Sequence, residues 1–140
     1  MRLWLILGVM TAVIAAVAAQ SVAPRSVWDG VYTDTQAARG EKVSVAQCGR
    51  CHGQTLTGAE AAPGLVGDTF NANWEGVPLG DLSERIRISM PQDAPGSLSR
   101  QQTVDVIAYM LKLSKIPAGE VELITEASAL GQITFMSNRP

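Results

Sequence analysis

The chain has 140 residues, 46% hydrophobic, 5% aromatic and 17% charged, with two cysteines and one histidine. This length holds one domain of ordinary size and not two. The 11 basic and 13 acidic side chains give a formal charge of −2 with no basic stripe, which argues against nucleic acid or anionic lipid as a partner.

Residues 1–19 carry Arg2, an apolar run from Leu3 to Ala19, and the small-residue end Val17, Ala18, Ala19. This is the layout of a secretory signal peptide, with cleavage expected after Ala19 and a periplasmic mature protein that keeps no stable membrane insertion. The run of 17 residues is at the short limit for spanning a bilayer, so an N-terminal anchor facing the periplasm is the alternative. Cleavage removes Arg2 and leaves 10 basic against 13 acidic side chains, a formal charge of −3. Such a balance can steer toward a basic partner surface, although a solvated acidic surface without partner meaning is commoner.

Residues 20–34 are expected to form an N-terminal extension, a loop packed on the domain through Trp28 and its neighbours. Thr33 with Gln36 three residues on resembles a capping box, and Thr35 is a second candidate start. A helix is predicted from about Thr35 to Gln47.

The next residues, Cys48, Gly49, Arg50, Cys51 and His52, contain every cysteine and the only histidine of the chain. C-x-x-C-H is the attachment signature of c-type haem. Two intervening residues let one helical turn present both thiols to one porphyrin edge, and the adjacent imidazole can then ligate iron. Three plainer readings compete. A structural zinc site wants four protein ligands, and only three are present. A thioredoxin-type redox pair is expected near a βαβ pattern, which is missing. A disulfide in an exported protein leaves His52 unexplained. Covalent haem assembly outside the cytosol agrees with the leader.

Residues 53–80 are rich in Gly, Pro, Asn and Thr and read as a long loop whose apolar support would come from a prosthetic group. Asp81 and Glu84 form a second capping-type pair, opening a short helix to about Ser89 with Leu82 and Ile86 on one face. Pro91 ends that helix, and Pro95–Gly96 mark a turn. Ser99 and Gln102 give a third box before a helix over roughly 100–115, with Val104, Ile107, Ala108, Met110 and Leu111 at helical spacing. Lys112 and Lys115 favour its carbonyl end, and Pro117 stops it. Residues 117–140 are expected to be a C-terminal extension packed on the domain, with a turn capped by Thr125, a stop at Gly131, and an extended stretch from Gln132 to Met136. The fold class is all-α.

If His52 holds a haem iron, one axial position remains, and no second histidine exists to fill it. A methionine is the natural choice and raises the reduction potential. Met1 and Met10 lie in the leader, Met110 fits the apolar stripe of the last helix, and Met136 lies in the tail. Met90 remains, after a short helix and directly before Pro91, in a segment stiffened by two prolines.

In this order, helix, C-x-x-C-H, long loop, Met-Pro and final helix, the chain resembles a class I cytochrome c over about residues 35–115. Its Met90-to-Ser99 stretch, M-P-x-x-x-P-G-S-L-S, is similar to small bacterial c-type cytochromes associated with periplasmic dehydrogenases. The resemblance implies about three main helices and long loops around one covalently attached haem c, in a domain spanning 35–116. It makes Gly40 the residue where the first helix crosses the last, against Val106, Ala108 and Tyr109. It implies that Pro63, followed by Leu65, lies in the haem-binding loop and accepts the Nδ1–H bond of His52, and that Trp74 donates to a haem propionate or walls the haem. One departure is Ser44, where the family commonly places an aromatic residue; Trp28 or Tyr32 is the candidate to fill that gap.

The function this implies is one-electron transfer, with no catalytic residue. Redox protein partners would meet an exposed haem edge near Cys48 and Cys51 through a transient interface. An electron-accepting subunit of a periplasmic dehydrogenase complex is the nearest alternative, and a gas-binding or peroxidase-like protein a more distant one.

Overall fold

The computed structural model describes residues 25–140. The signal peptide expected at 1–19 and the first residues of the N-terminal extension lie outside the described residues. In chain order the elements are β1 (Arg25–Ser26), α1 (Asp34–Gln47), α2 (Gly49–His52), α3 (Asp68–Trp74), α4 (Leu79–Ser89), α5 (Arg100–Leu113), α6 (Ala127–Leu130) and β2 (Ile133–Thr134). The expected all-α class is observed, with one two-residue strand pair added. Among the described residues no helix is long and apolar enough to cross a membrane.

Helix α1 starts where the sequence places it, with the Thr33 hydroxyl accepting the Gln36 N–H at 3.1 Å. The reciprocal half of the box is replaced by a different bond. The Gln36 side chain turns into the core, donating from Nε2 to the Leu123 carbonyl at 3.0 Å and accepting the Leu123 N–H at 2.8 Å. It is fully buried and ties α1 to the C-terminal tail.

Helix α5 has the complete capping box of Ser99 and Gln102, and every residue from Thr103 to Leu111 is buried. At its far end the N–H of Ile116 reaches the Leu111 carbonyl at 3.1 Å and that of Lys115 the Lys112 carbonyl at 3.0 Å. These two bonds form a Schellman motif with Lys115 in the left-handed region, φ 61. Lys115 therefore lies past the helix rather than in its last turn.

Helices α1 and α5 cross at Gly40. A Cβ built there would lie 1.8 Å from the Asp105 carbonyl oxygen and 3.0 Å from the Val106 nitrogen, so only glycine permits this approach. An ion cluster braces the crossing. Arg39 donates to both carboxylate oxygens of Asp105, at 3.1 and 3.0 Å, and to both of Glu122 in the tail, at 2.9 and 2.7 Å.

Both extensions pack on this helix pair. Strands β1 and β2 pair in parallel, Arg25 with Ile133 and Ser26 with Thr134, so the N-terminal segment is not wholly a loop. Trp28 donates its indole N–H to the Met136 carbonyl at 2.9 Å, and Tyr32 its hydroxyl to the Ile116 carbonyl at 2.6 Å. Those bonds anchor the two aromatics to the tail and to the end of α5. Ser44 is fully buried and its hydroxyl has no hydrogen-bond partner among the described residues.

Three local expectations need correction. Residues 53–80 are not one loop, because α3 forms within them: Phe70 is buried and stacks on Trp74 one turn later, with ring centroids 5.9 Å apart. Helix α4 starts at Leu79 after Pro78, ahead of Asp81, and Glu84 pairs with Arg87 rather than capping. Helix α6 starts after Glu126, with no side-chain cap from Thr125.

Candidate functional site

The C-x-x-C-H residues sit at a break between two helices. Helix α1 ends at Gln47, and the Cys48 N–H still reaches the Ser44 carbonyl at 2.8 Å. A new turn, α2, follows, with the N–H groups of Cys51 and His52 on the Cys48 carbonyl at 3.1 and 2.9 Å. One turn thus carries both thiols and the imidazole. Both cysteines are free and half-buried, and burial pushes the Cys48 thiol above its ordinary range.

His52 is buried, and its Nδ1 lies 2.7 Å from the Pro63 carbonyl oxygen. A carbonyl can only accept, so Nδ1 carries a hydrogen, and in the neutral imidazole the lone pair is then on Nε2. The loop that delivers Pro63 is tightly built. The Gly58 N–H bonds the His52 carbonyl at 2.9 Å, and the Leu65 N–H bonds the Leu56 carbonyl at 2.8 Å. Gly58 adopts φ 101, and a Cβ there would stand 2.9 Å from the Gly64 nitrogen beside Pro63. Leu65 is half-buried against the core, as is Trp74, which is held by its stacking on Phe70.

Met90 caps the end of α4, its N–H on the Ile86 carbonyl at 2.9 Å, and it leaves the helix in an extended conformation. It is half-buried. Met110 is buried in α5, as its place in the apolar stripe predicts, and the Met136 carbonyl serves Trp28.

The sequence reading missed a contact that joins these segments. Arg50, between the two cysteines, forms an ion pair with Asp93, three residues beyond Met90. The pairing holds the Asp93 carboxyl below its usual range. Opposite charges in the two segments singled out for iron ligation were the available signal.

The donor set suits a covalently attached haem. Two free thiols and an imidazole with an open Nε2 share one turn, while among the described residues no group of three or more His, Cys, Asp or Glu could hold a metal ion by protein ligands alone.

Comparison with known proteins gives two findings. Residues 35–110 match the family described as cytochrome c oxidase, cbb3-type, subunit III. The fold is similar to a chain in the crystal structure of the sulfane dehydrogenase SoxCD from Paracoccus pantotrophus, at a TM-score of 0.51 and 20% sequence identity. That match covers 76% of this chain and 61% of the other. No curated protein matches the sequence.

Proposed function

Starting from the premise that this chain belongs to the cbb3-type subunit III family of c-type cytochrome domains, we propose that it is a periplasmic one-electron carrier with a single His/Met-ligated haem c. Its class I cytochrome fold and haem electron-transfer role follow from the family. The ligand set, the haem number and the compartment are the proposal.

The observation that carries it is the His52–Pro63 bond. It engages Nδ1 and leaves Nε2 free to serve as an oriented, basic ligand, which is how a partner behind a metal-bound histidine acts. Cys48 and Cys51 would hold the porphyrin through thioethers, and Met90 would supply the second iron ligand beside His52. Leu65 would wall the site, and Trp74 would either donate its indole N–H to a propionate or pack against the ring. When bound, the haem supplies reversible ferrous–ferric exchange, and a Met/His pair biases it toward the reduced form. With both of these ligands supplied by the chain, no substrate would need to reach the iron. Electron transfer to redox protein partners would take place near Cys48 and Cys51, through a transient interface.

The test is an absorption spectrum of oxidised and reduced protein with a redox titration. One haem per chain, a ferric thioether-to-iron band abolished in Met90→Ala, and a lower potential in that variant are expected. Rapid carbon monoxide binding to the native ferrous form would instead show an open axial site and sink the carrier reading.

The similarity to a chain of SoxCD favours a second reading, an electron-accepting domain within a dehydrogenase complex. Purification from native periplasm decides between them: a free monomer supports the carrier, a stable complex the subunit.

A further inference from the structure

Sequence separates Arg50 and Asp93 by 43 positions, yet their side chains form an ion pair. The pair joins the turn of Cys48, Cys51 and His52 to the loop that follows Met90. That loop has little else to hold it. Two turns shape it, the Ala94 N–H on the Pro91 carbonyl at 2.9 Å and the Ser97 N–H on the Ala94 carbonyl at 3.2 Å. Residues 92–97 are all exposed, and the next buried side chain is Leu98. Among the described residues, Arg50 makes the single side-chain hydrogen bond that reaches residues 90–97 from elsewhere in the chain.

We propose that the Arg50–Asp93 pair is a clasp that positions Met90, tying its loop to the histidine-bearing turn and slowing release of the thioether from the iron. The proposal rests on Met90 being the second axial ligand. Arg50 and Asp93 touch no reacting atom; they act through the loop. Both side chains are largely solvent-exposed, 73% and 59%, so the pair is modest and screened by salt. A modest pair matters here because a short, exposed loop with few other contacts opens at small cost. The clasp therefore shifts how often the loop opens without deciding whether the domain folds. It also cancels two charges at the surface where a partner would dock.

The experiment uses the haem-loaded protein in its ferric form and imidazole as a competing ligand, which binds iron after Met90 leaves. Variants are Asp93→Asn, Arg50→Gln, the double variant, and the charge-swapped pair Arg50→Asp with Asp93→Arg. Asp93→Asn leaves the C-x-x-C-H motif untouched, so haem attachment is not at issue in it. Each single variant is expected to bind imidazole about two- to fivefold more tightly than the native protein at low salt, the range an exposed ion pair supports. The double variant should gain no more than either single one, and the swap should restore most of the native resistance. Hydrogen exchange at the Ala94 and Ser97 amides should quicken in parallel, while the folding equilibrium in urea shifts by no more than about the same two- to fivefold factor. Native imidazole binding in Asp93→Asn, or effects that simply add in the double variant, would overturn the clasp. A native protein without a thioether-to-iron band would instead bring down the Met90 assignment and the clasp with it.

Discussion

The Nδ1 of His52 and the carbonyl oxygen of Pro63 stand 2.7 Å apart, across a loop whose own backbone bonds fix both ends. The bond sets the imidazole's tautomer before any ligand is considered. Its acceptor is a backbone atom, so changing the Pro63 side chain is a poor probe of it. The glycines that let the loop fold back are better ones.

Gly58→Ala should raise the reduction potential. Its Cβ would meet the Gly64 nitrogen at 2.9 Å in a left-handed backbone, and a shift of the Pro63–Gly64 segment to relieve that contact would weaken the bond to His52. Without that acceptor the imidazole is a weaker base and stabilises ferric iron less. If the bond contributes about 0.5–1.5 kcal/mol, the rise is about 20–60 mV for a one-electron couple. A redox titration checks it, and an unchanged or lower potential would refute the role given to Pro63.

The α1–α5 crossing has one position with no spare room and another with an orphaned group. Gly40→Ala forces the helices apart at the Asp105 carbonyl and should destabilise the domain by about 1–3 kcal/mol or more in urea unfolding. Ser44→Ala should act the other way. It removes a fully buried hydroxyl that has no partner, relieving about 1 kcal/mol, and a clear loss of stability would show that the hydroxyl is satisfied.

Features that depend on neighbours in sequence were legible: the Ser99–Gln102 box, the buried stripe of α5, the motif turn and the stop at Pro91. The positions carried over by resemblance, Gly40 and Pro63, also stand where expected, since both follow from packing shared across the fold. What was illegible is which of several partners wins, whether the competitor is distant or local. Gln36 and Glu84 have capping spacing, but Leu123 and Arg87 compete for them and win. Helix α3 was hidden by its Gly- and Asn-rich surroundings, and the Phe70–Trp74 spacing was its only sequence mark.

Acid should loosen the tail. Arg39 holds the Glu122 carboxyl below its ordinary value of 4.5, so the folded chain binds that proton less readily than the unfolded one. The stability this pair adds is full above about pH 4.5 and is lost as pH falls through the lower, folded value. Glu122 is 40% exposed, so screening limits the effect. Glu122→Gln should therefore unfold more easily in urea than the native protein at pH 7, with the two converging as pH falls through the lowered, folded value. A gap that persists at low pH would mean that the side chain acts through packing instead.

Gln36 gives the sharpest test of how the tail is held. Its amide satisfies both the N–H and the carbonyl of Leu123, at 2.8 and 3.0 Å, in a fully buried setting. Gln36→Leu keeps a comparable apolar volume but leaves two buried backbone groups unpaired, at about 1–3 kcal/mol each. The cheapest relief is for the segment around Leu123 to leave the core and find water. Limited proteolysis should then cut within residues 117–126 in Gln36→Leu and not in the native protein. Helix α1 should survive, because the Thr33 hydroxyl still caps it through the backbone N–H of residue 36. Cleavage confined to the tail, with the haem spectrum intact, is the expected result. Equal resistance in both proteins would mean that Arg39, Trp28 and the β1–β2 pair hold the tail without Gln36.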